Sequence, residues 1–457
     1  MSELGTLLDA KALYARSERL KRRAVTLGEV EFGFDHHAIA SRLNNLALLL
    51  RTRNRVEEAV PLMRRALAIN EAQFGEDDPK VAINYGNLGQ LMRATGQLGE
   101  AEPLLRHAFS ILQASLGANH PHVATALSDL AVLLQDTNRL GEAEPLLRRA
   151  LAISEAHYGK EHPAVARDLN NLAQLLRTTN RLGEAEALMR RVLAIDGASY
   201  GKDHPEVATD LNNLAVLLQD TNRLREAEPL MRRALEIDEG IFGNRHPNVA
   251  RDLNNLAGFL QDGNRLGEAE PLMRRALAIN EASLGKDHPD LATNLNSLGL
   301  LFRNTNRLIR AERLYRRALA IDEASFGNDH PNVARDLSNL AMLLRAANRL
   351  GDAEPLIRRA LAIDEASLGR NHPIVGIRLG NLALLLQDTS RLGEAGPLMR
   401  RALAIFLVFQ RNTGHVHQQR DMAITNYHRL LTAMGKSEAE IAAAFAATWR
   451  EAGLEHG

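Results

Sequence analysis

The sequence contains no cysteine, few aromatic residues and no long apolar run. Without cysteine the chain has neither disulfides nor thiolate zinc sites. Aromatic residues make up only 4% of the 457 residues, which leaves few rings for stacking nucleic-acid bases. No stretch approaches the ~18 consecutive apolar residues that a membrane-spanning helix needs. Lys plus Arg and Asp plus Glu both number 56, and this balance gives no overall attraction to nucleic acid or membrane.

Sequence signatures of catalysis are also missing. No glycine-rich phosphate loop, G-x-S-x-G or H-E-x-x-H motif occurs. The N-terminal segment has no apolar core of signal-peptide length. We therefore expect a cytoplasmic protein without catalytic residues, cofactor or metal site.

What the sequence does contain is a repeat. Glycine recurs at a constant interval, at Gly33, Gly75, Gly117, Gly159, Gly201, Gly243, Gly285, Gly327 and Gly369. We number the copies 1 to 9 from these glycines, so that copy 4 is 159–200 and copy 5 is 201–242. The unit reads approximately G-x-D-H-P-x-V-A-x-D-L-N-N-L-A-x-L-L-x-x-x-N-R-L-G-E-A-E-P-L-x-R-R-A-L-A-I-x-E-A. A fixed period of this length is typical of solenoid proteins.

Each copy is predicted to hold two helices. In copy 5, Val207, Leu211, Leu214, Ala215 and Leu218 follow the spacing of one helical face. A second set follows the same rule: Ala227, Leu230, Ala234, Ile237 and Ile241. One such pair cannot bury its apolar face alone, so the copies must stack on each other.

The segments L-N-N-L-A-x-L-L and E-A-E-P-L-x-R-R-A-L-A-I resemble the tetratricopeptide repeat, in its 42-residue kinesin-light-chain-like form. The resemblance extends from about Tyr14 to Gln410 and implies an all-α, right-handed superhelical solenoid. A motor role is not expected, since only a short segment precedes the first half-copy, without the long heptad segment of kinesin light chains. A bacterial member is expected instead.

The resemblance and the ends of the repeat predict three regions. Residues 1–32 form an N-terminal half-repeat, and 33–410 form the nine repeats. Residues 411–457 form a degenerate repeat and a capping helix. Ser437 and Glu440 have the spacing of a capping box at the start of that helix. The expected role of this helix is to cover the last repeat, and the alternative is a partner or dimerisation patch.

Two recurring polar features are interpreted as structural. The histidine of D-H-P returns in equivalent turns, where neighbouring copies lie ~10 Å apart, too far to share one zinc ion. We expect it to cap helices or shape turns. Glutamates four residues before an arginine should form ion pairs on an outer helix face. This pairing argues against a nucleic-acid surface at the Arg-Arg pairs.

In related tetratricopeptide domains the first helices line a concave groove that binds extended peptides or helices, with groove-facing side chains near L-N-N-L-A. Asparagine can pair with peptide backbone and arginine with carboxylates. The resemblance thus gives these groove candidates: Asn44, Asn45, Asn170, Asn171, Asn212, Asn213, Asn254, Asn255, Arg167, Arg177, Arg251, Arg303, Arg335 and Arg345. Alternatively, the asparagines belong only to the ordinary repeat consensus.

The sequence therefore predicts a non-catalytic protein-interaction scaffold, with protein or peptide partners of some acidic character and a monomeric state. One alternative is a regulatory or sensor module that acts with a separate effector. The other, an enzyme, would need a singular acid, base or nucleophile constellation, and the sequence contains none.

Overall fold

The chain is built from consecutive antiparallel helix pairs. The computed structural model describes residues 14–53 and 55–454, which contain 21 α-helices and no β-strand. The helices are α1 (Tyr14–Phe32), α2 (His37–Thr52), α3 (Val56–Phe74), α4 (Pro79–Ala94), α5 (Leu98–Leu116), α6 (Pro121–Asp136), α7 (Leu140–Tyr158), α8 (Pro163–Thr178), α9 (Leu182–Tyr200), α10 (Pro205–Asp220), α11 (Leu224–Phe242), α12 (Pro247–Asp262), α13 (Leu266–Leu284), α14 (Asp290–Asn304), α15 (Leu308–Phe326), α16 (Pro331–Ala346), α17 (Leu350–Leu368), α18 (Pro373–Asp388), α19 (Leu392–Thr413), α20 (Arg420–Ala433) and α21 (Glu438–Glu451).

Local sequence explains where the helices begin and end. In copy 5 the His204 side chain accepts a hydrogen bond from the Glu206 N–H, and Pro205 takes the first helical position. Asn222, between the two helices, has a φ of 59°, a left-handed conformation that asparagine tolerates. Gly243 ends α11 at a φ of 75°, which is strained for other residues. The 42-residue repeat therefore carries its own start and stop signals.

The helices pack as the periodicity predicts. Among helices of the same compact unit, as defined below, first helices pack against the second helix of their copy, and second helices pack against the first helix of the next. In copy 5, Val207, Leu211 and Ile237 are buried, and Leu193 of copy 4 packs against them. Ile241 was predicted in the apolar set, but it is 50% exposed because it lies in the last turn of α11, beyond the packed face.

The seven predicted Glu–Arg pairs on the outer face are confirmed. They join Glu102–Arg106, Glu144–Arg148, Glu186–Arg190, Glu228–Arg232, Glu270–Arg274, Glu312–Arg316 and Glu354–Arg358. Several of these glutamates also bind an arginine of the next copy, as Glu228 does with Arg265 at 2.7 Å. Exposed ion pairs contribute little individually, yet these link consecutive copies.

The helices fall into two compact units, which we describe separately. The first contains the described parts of Met1–Leu133, together with Ala143–Ala173 and Glu186–Ser297. The second contains Leu134–Glu142, Gln174–Ala185 and the described parts of Leu298–Gly457. Within the described ranges, no helix combines the length and hydropathy required to cross a bilayer.

Candidate functional site

Eight of the fourteen predicted groove residues already interact with other residues of the chain. Asn212 donates to the Asp252 carboxylate at 2.7 Å, and Asn213 donates to Asn170 at 3.4 Å. The five arginines in this group are Arg167, Arg177, Arg251, Arg335 and Arg345. Among the described residues, the remaining six make no side-chain hydrogen bond: Asn44, Asn45, Asn171, Asn254, Asn255 and Arg303.

Arg251 is held by two buried aspartates. Its guanidinium lies 3.3 Å from Asp238 on the second helix of copy 5 and 3.0 Å from Asp252 on the first helix of copy 6. Both carboxylates are fully buried, whereas the arginine side chain is 39% exposed. Arg335 repeats this arrangement on Asp322 and Asp336, at 3.0 Å each. A buried carboxylate needs such compensation, so these two arginines have a structural task.

These aspartates belong to a recurring set of positions at which the second helix of one copy faces the first helix of the next. The two residues of each pair are separated by the same number of residues along the chain. We call each such pair a junction pair. Along the chain they are Gly28–Arg42, Asn70–Asn84, Leu112–Ala126, Ser154–Asp168, Asp196–Asp210, Asp238–Asp252, Asn280–Asn294, Asp322–Asp336 and Asp364–Arg378. The asparagine pairs hydrogen-bond at 2.7 and 2.8 Å, and Arg378 binds Asp364 at 2.8 Å.

The aspartate pair between copies 4 and 5 differs from the other two. Its Thr209 stands where Arg251 and Arg335 stand at the equivalent junctions. Burial, followed by the charge of Asp196, raises the pKa of Asp210 well above its ordinary value. Burial likewise raises the pKa of Asp196. Two buried carboxyls without a cation are stable when they share a proton.

A depression of about 370 Å³ opens between the first helices of copies 6 and 7. Its size lies within the usual range of ligand pockets. Five of its nine lining residues are asparagines, and the lining consists of Pro247, Asn248, Arg251, Asn254, Asn255, Asn280, Asp290, Thr293 and Asn294. The structure thus brings the predicted Asn254, Asn255 and Arg251 together in one concave surface.

A larger cleft, of about 640 Å³, lies in the second unit. It is lined by turn residues 137–142 and 368–372 and by the end of α19. None of the fourteen predicted residues lines it. The asparagine depression is therefore the better candidate for binding in the predicted manner.

The histidines act as helix caps, as predicted. Nδ1 of His246 accepts the Asn248 N–H at 3.2 Å, and the Phe242 ring stacks on the imidazole at 4.2 Å. The equivalent histidines of copies 3, 4, 5, 7, 8 and 9 make the same bond. In the part of the chain that the structure describes, no three His, Asp or Glu side chains are arranged to hold a metal ion.

The fold and repeated helix pairs define an α-helical repeat protein. The tetratricopeptide repeat profile matches successive segments from residue 38 to 407: 38–114, 80–156, 123–198, 184–240, 206–282, 248–324, 305–366 and 337–407. The chain therefore belongs to the tetratricopeptide repeat family. Its repeats mark it as a protein-interaction scaffold in general, and the family is typically non-catalytic.

One solved structure supports the fold, and two others are similar over about half of the chain. A Rap protein in complex with competence and sporulation factor is 12% identical, with a TM-score of 0.55 over 82% of this chain and 99% of that one. A kinesin light chain with nearly identical repeats from Podosopora anserina is 25% identical over 45% of this chain and 98% of its own, with a TM-score of 0.39. BtubC from P. vanneervenii is 24% identical over 51% and 92%, with a TM-score of 0.40. No curated protein matches the sequence.

Sequence reasoning missed the junction pairs. Their signal was present, because Asp238 and Asp252 lie in register with apolar residues such as Leu112 and Ala126 of other copies. A charged residue at a core position is unusual unless it is paired. Only the packing of the two helices shows which residue is the partner.

Proposed function

We propose that this chain is a non-catalytic, monomeric scaffold of the cytoplasm that holds an extended or helical peptide segment against its first helices. The observation that supports this proposal best is the asparagine-lined depression between copies 6 and 7. Its side chains offer both donors and acceptors, which suit the backbone of a peptide whatever its sequence.

A polar side chain that makes no hydrogen bond within the described chain favours this depression as the binding surface. The Oδ1 atoms of Asn254 and Asn280 are buried and accept no hydrogen bond. Asn255 lies beside them with its amide uncommitted within the described chain. Because the two buried Oδ1 atoms have no surface that a ligand can reach, the Asn255 amide is the group that a peptide backbone would contact.

Arginine contacts give the partner its expected acidic character. The Arg303 guanidinium makes no hydrogen bond or ion pair within the described residues, and the residue is only partly exposed. A carboxylate could accept both arms of its guanidinium. Arg251 and Arg335 contribute less to this attraction, because each already faces two buried carboxylates.

The proposal is tested by crosslinking from defined positions. A photoreactive amino acid replaces Asn255 in one variant and Arg232, on the outer face, in another. In native cells, we expect the Asn255 variant to crosslink a protein partner and the Arg232 variant to give little product. Crosslinking from position 232 alone would place the binding surface on the other side of the helix pairs.

Affinity then separates binding from folding. With the partner so obtained, Asn171→Ala/Asn255→Ala should weaken binding about thirtyfold, since the two lost hydrogen bonds contribute roughly 1 kcal/mol each. Arg148→Ala/Arg232→Ala serves as the matched control and should leave affinity unchanged. Charge reversal at Arg251 or Arg335 is unsuitable, because it would add a carboxylate to a buried aspartate pair.

A further inference from the structure

Three junctions between copies carry two buried aspartates, and two of them contain a guanidinium. Arg251 lies on Asp238 and Asp252, and Arg335 lies on Asp322 and Asp336. In both cases one group bridges the carboxylates of two helices. The two arginine side chains remain 39% and 35% exposed, so the cation reaches each pair from the surface.

The junction of copies 4 and 5 has the same two carboxylates and lacks the arginine. Asp196 is 7% exposed and Asp210 is 5% exposed. The carboxyls of Asp196 and Asp210 hydrogen-bond to each other. Thr209 stands at the arginine position, and its side chain is too short to reach both carboxylates.

We propose that this junction binds the guanidinium of an arginine side chain that a partner peptide inserts between Asp196 and Asp210. The proposal rests on the proposed function, because the peptide would approach along the first helices. The bound group would take the position that Arg251 and Arg335 take at their own junctions, with one carboxylate from each helix. The contacts of Arg251 and Arg335 with their aspartates thus show, within this chain, the contact that we propose for the partner's arginine.

Neighbouring charges favour a cation at this place. Glu206, one turn before Asp210, adds a third acid, and His204 caps the same helix. The nearest arginine of copy 6, Arg251, donates to the Thr209 hydroxyl at 3.3 Å but is held by its own two aspartates. The junction therefore keeps an excess of negative charge when its carboxyls ionise.

Binding should release a proton. The two carboxyls share a proton because burial and mutual repulsion raise their pKa values. When a guanidinium enters, its charge favours ionisation of both carboxyls, and at pH 8.5 the shared proton passes to solvent. At the junction that Arg251 occupies, burial and the charge of Asp252 still raise the pKa of Asp238 to about 7, so this release is complete only above that pH. Affinity should consequently increase with pH. The other charged or titratable groups that face the junction are Glu206, His204 and Arg251.

The experiment uses a blocked pentapeptide with one central arginine among alanines, and the same peptide with citrulline, which has the shape of arginine without its charge. Calorimetric titration of the full chain at pH 8.5 should show the arginine peptide binding about tenfold or more tightly than the citrulline peptide, which corresponds to ~1.4 kcal/mol. The preference should decrease at pH 6. A lysine peptide should bind with an intermediate affinity.

The chain itself supplies matched variants. Asp196→Asn/Asp210→Asn reproduces the natural pairs Asn70–Asn84 and Asn280–Asn294, so it should fold and lose the preference for arginine. Thr209→Arg introduces the arginine that copies 6 and 8 have at this position. It should also abolish the preference, because the new guanidinium would occupy the site itself. Thr125→Arg is the control, since the junction beside it is Leu112–Ala126, and it should bind as the wild type does.

Equal binding of the arginine and citrulline peptides would overturn the inference, as would unchanged binding to Thr209→Arg. Calcium binding that depends on Asp210, without arginine binding, would instead assign the site to a metal and also overturn it. None of these results bears on crosslinking from Asn255, so the proposed function is tested separately.

Discussion

The histidine that caps the first helix of every copy except copy 2 shows how much one residue contributes to this repeat. Its Nδ1 must be unprotonated to accept the cap hydrogen bond, as in His330 with the Asn332 N–H at 3.1 Å. Burial lowers the pKa of His330 to about 4, and it does the same for His372, with a contribution from His417. The fold therefore stabilises the neutral form of the His330 and His372 imidazoles.

We predict that these caps make stability sensitive to mild acid. The pKa in the folded state lies below the unfolded value of about 6.5, so the contribution is complete above pH 6.5 and is lost as pH falls towards 4. Asp78 caps copy 2 in the same way without a histidine. His330→Asp/His372→Asp should hence lose less unfolding free energy than the wild type between pH 7 and 4, by about 1 kcal/mol per cap.

Urea unfolding at several pH values measures this difference. The comparison must be made between variants, because the aspartate junctions titrate with the opposite sign. Their raised pKa values stabilise the fold at low pH and destabilise it as pH rises. His428→Asn is the control, because His428 lies within α20 on an exposed position and makes no cap hydrogen bond, and it should follow the wild-type curve. Parallel curves for all three proteins would mean that the caps do not titrate in this range.

At the scale of the helix pair, close packing depends on a small residue facing a large one. In copy 7, Gly299 lies against the buried Tyr315 ring, whereas copy 6 has Ala257 and Met273 at the same positions. A Cβ on Gly299 would lie 2.7 Å from Tyr315 Cε1. Copy 7 therefore combines a smaller residue on the first helix with a larger one on the second, and copy 6 has more similar sizes. Because the helices are closely packed, each residue fits only the partner of its own copy.

We predict that Gly299→Ala destabilises the protein although alanine favours helices. Overpacking costs about 1–3 kcal/mol, against a gain of about 1 kcal/mol in helix propensity. Tyr315→Met alone should also destabilise, because it leaves a cavity. The double variant reproduces the Ala257–Met273 pair and should be more stable than either single one.

A double-mutant cycle by thermal or urea unfolding gives the coupling directly. We expect at least about 1 kcal/mol of favourable coupling between the two positions. Simple additivity would show that the helices separate freely and that the pair is not closely packed. Ala257→Gly, in copy 6, measures the propensity effect without the tyrosine.

The C-terminal helix illustrates a further element that local sequence specifies. Ser437 and Glu440 form the predicted capping box. Phe406, Leu407 and Phe409 are buried, and Phe406 lies at the position of the junction residue Asp364 rather than on an outer face. That 411–457 serves as a cap remains a prediction.

In the whole molecule, near-identical copies must stack in the correct order, although their sequences are very similar. Apolar contacts between copies are almost the same everywhere, so they do not distinguish one neighbour from another. The junction pairs do, because asparagine faces asparagine, Asp364 faces Arg378 and Leu112 faces Ala126. Mismatched junctions would bury a carboxylate without its partner, which is costly.

Deleting whole copies tests this role. Removal of 327–368 brings Asp322 opposite Arg378, a matched pair, and should give a folded protein one copy shorter. Removal of 117–158 brings Leu112 opposite Asp168 and should give a less stable one, by about 1–3 kcal/mol. Both keep the 42-residue register, so nearest-neighbour stacking persists in each.

Circular dichroism and urea unfolding report the outcome. Leu112→Ser within the 117–158 deletion restores a Ser–Asp pair, as at Ser154–Asp168, and should recover stability. Removing only 327–346, half of one copy, destroys the register and should abolish cooperative unfolding. If all three deletions unfold alike, the copies do not stack through specific junctions.

The sequence alone determined the helix pairs, their caps and the family. These features are local or repeat at a fixed interval, so a 3.6-residue periodicity, a D-H-P turn or an i,i+4 spacing suffices to predict them. The Glu–Arg pairs and histidine caps were predicted correctly for the same reason. Asparagine and arginine could be assigned to a groove only by resemblance, and that assignment remains a proposal.

Only the tertiary structure decided which charged residues are paired and which remain available for a ligand. Asp238 and Asp252 are on separate helices, and their shared contact with Arg251 depends on how two copies stack. His288 reaches the Thr52 carbonyl at 2.9 Å although the two residues are far apart in sequence, a contact that no local pattern encodes. Burial and pairing depend on distances between helices, which the spacing of residues along the chain does not contain.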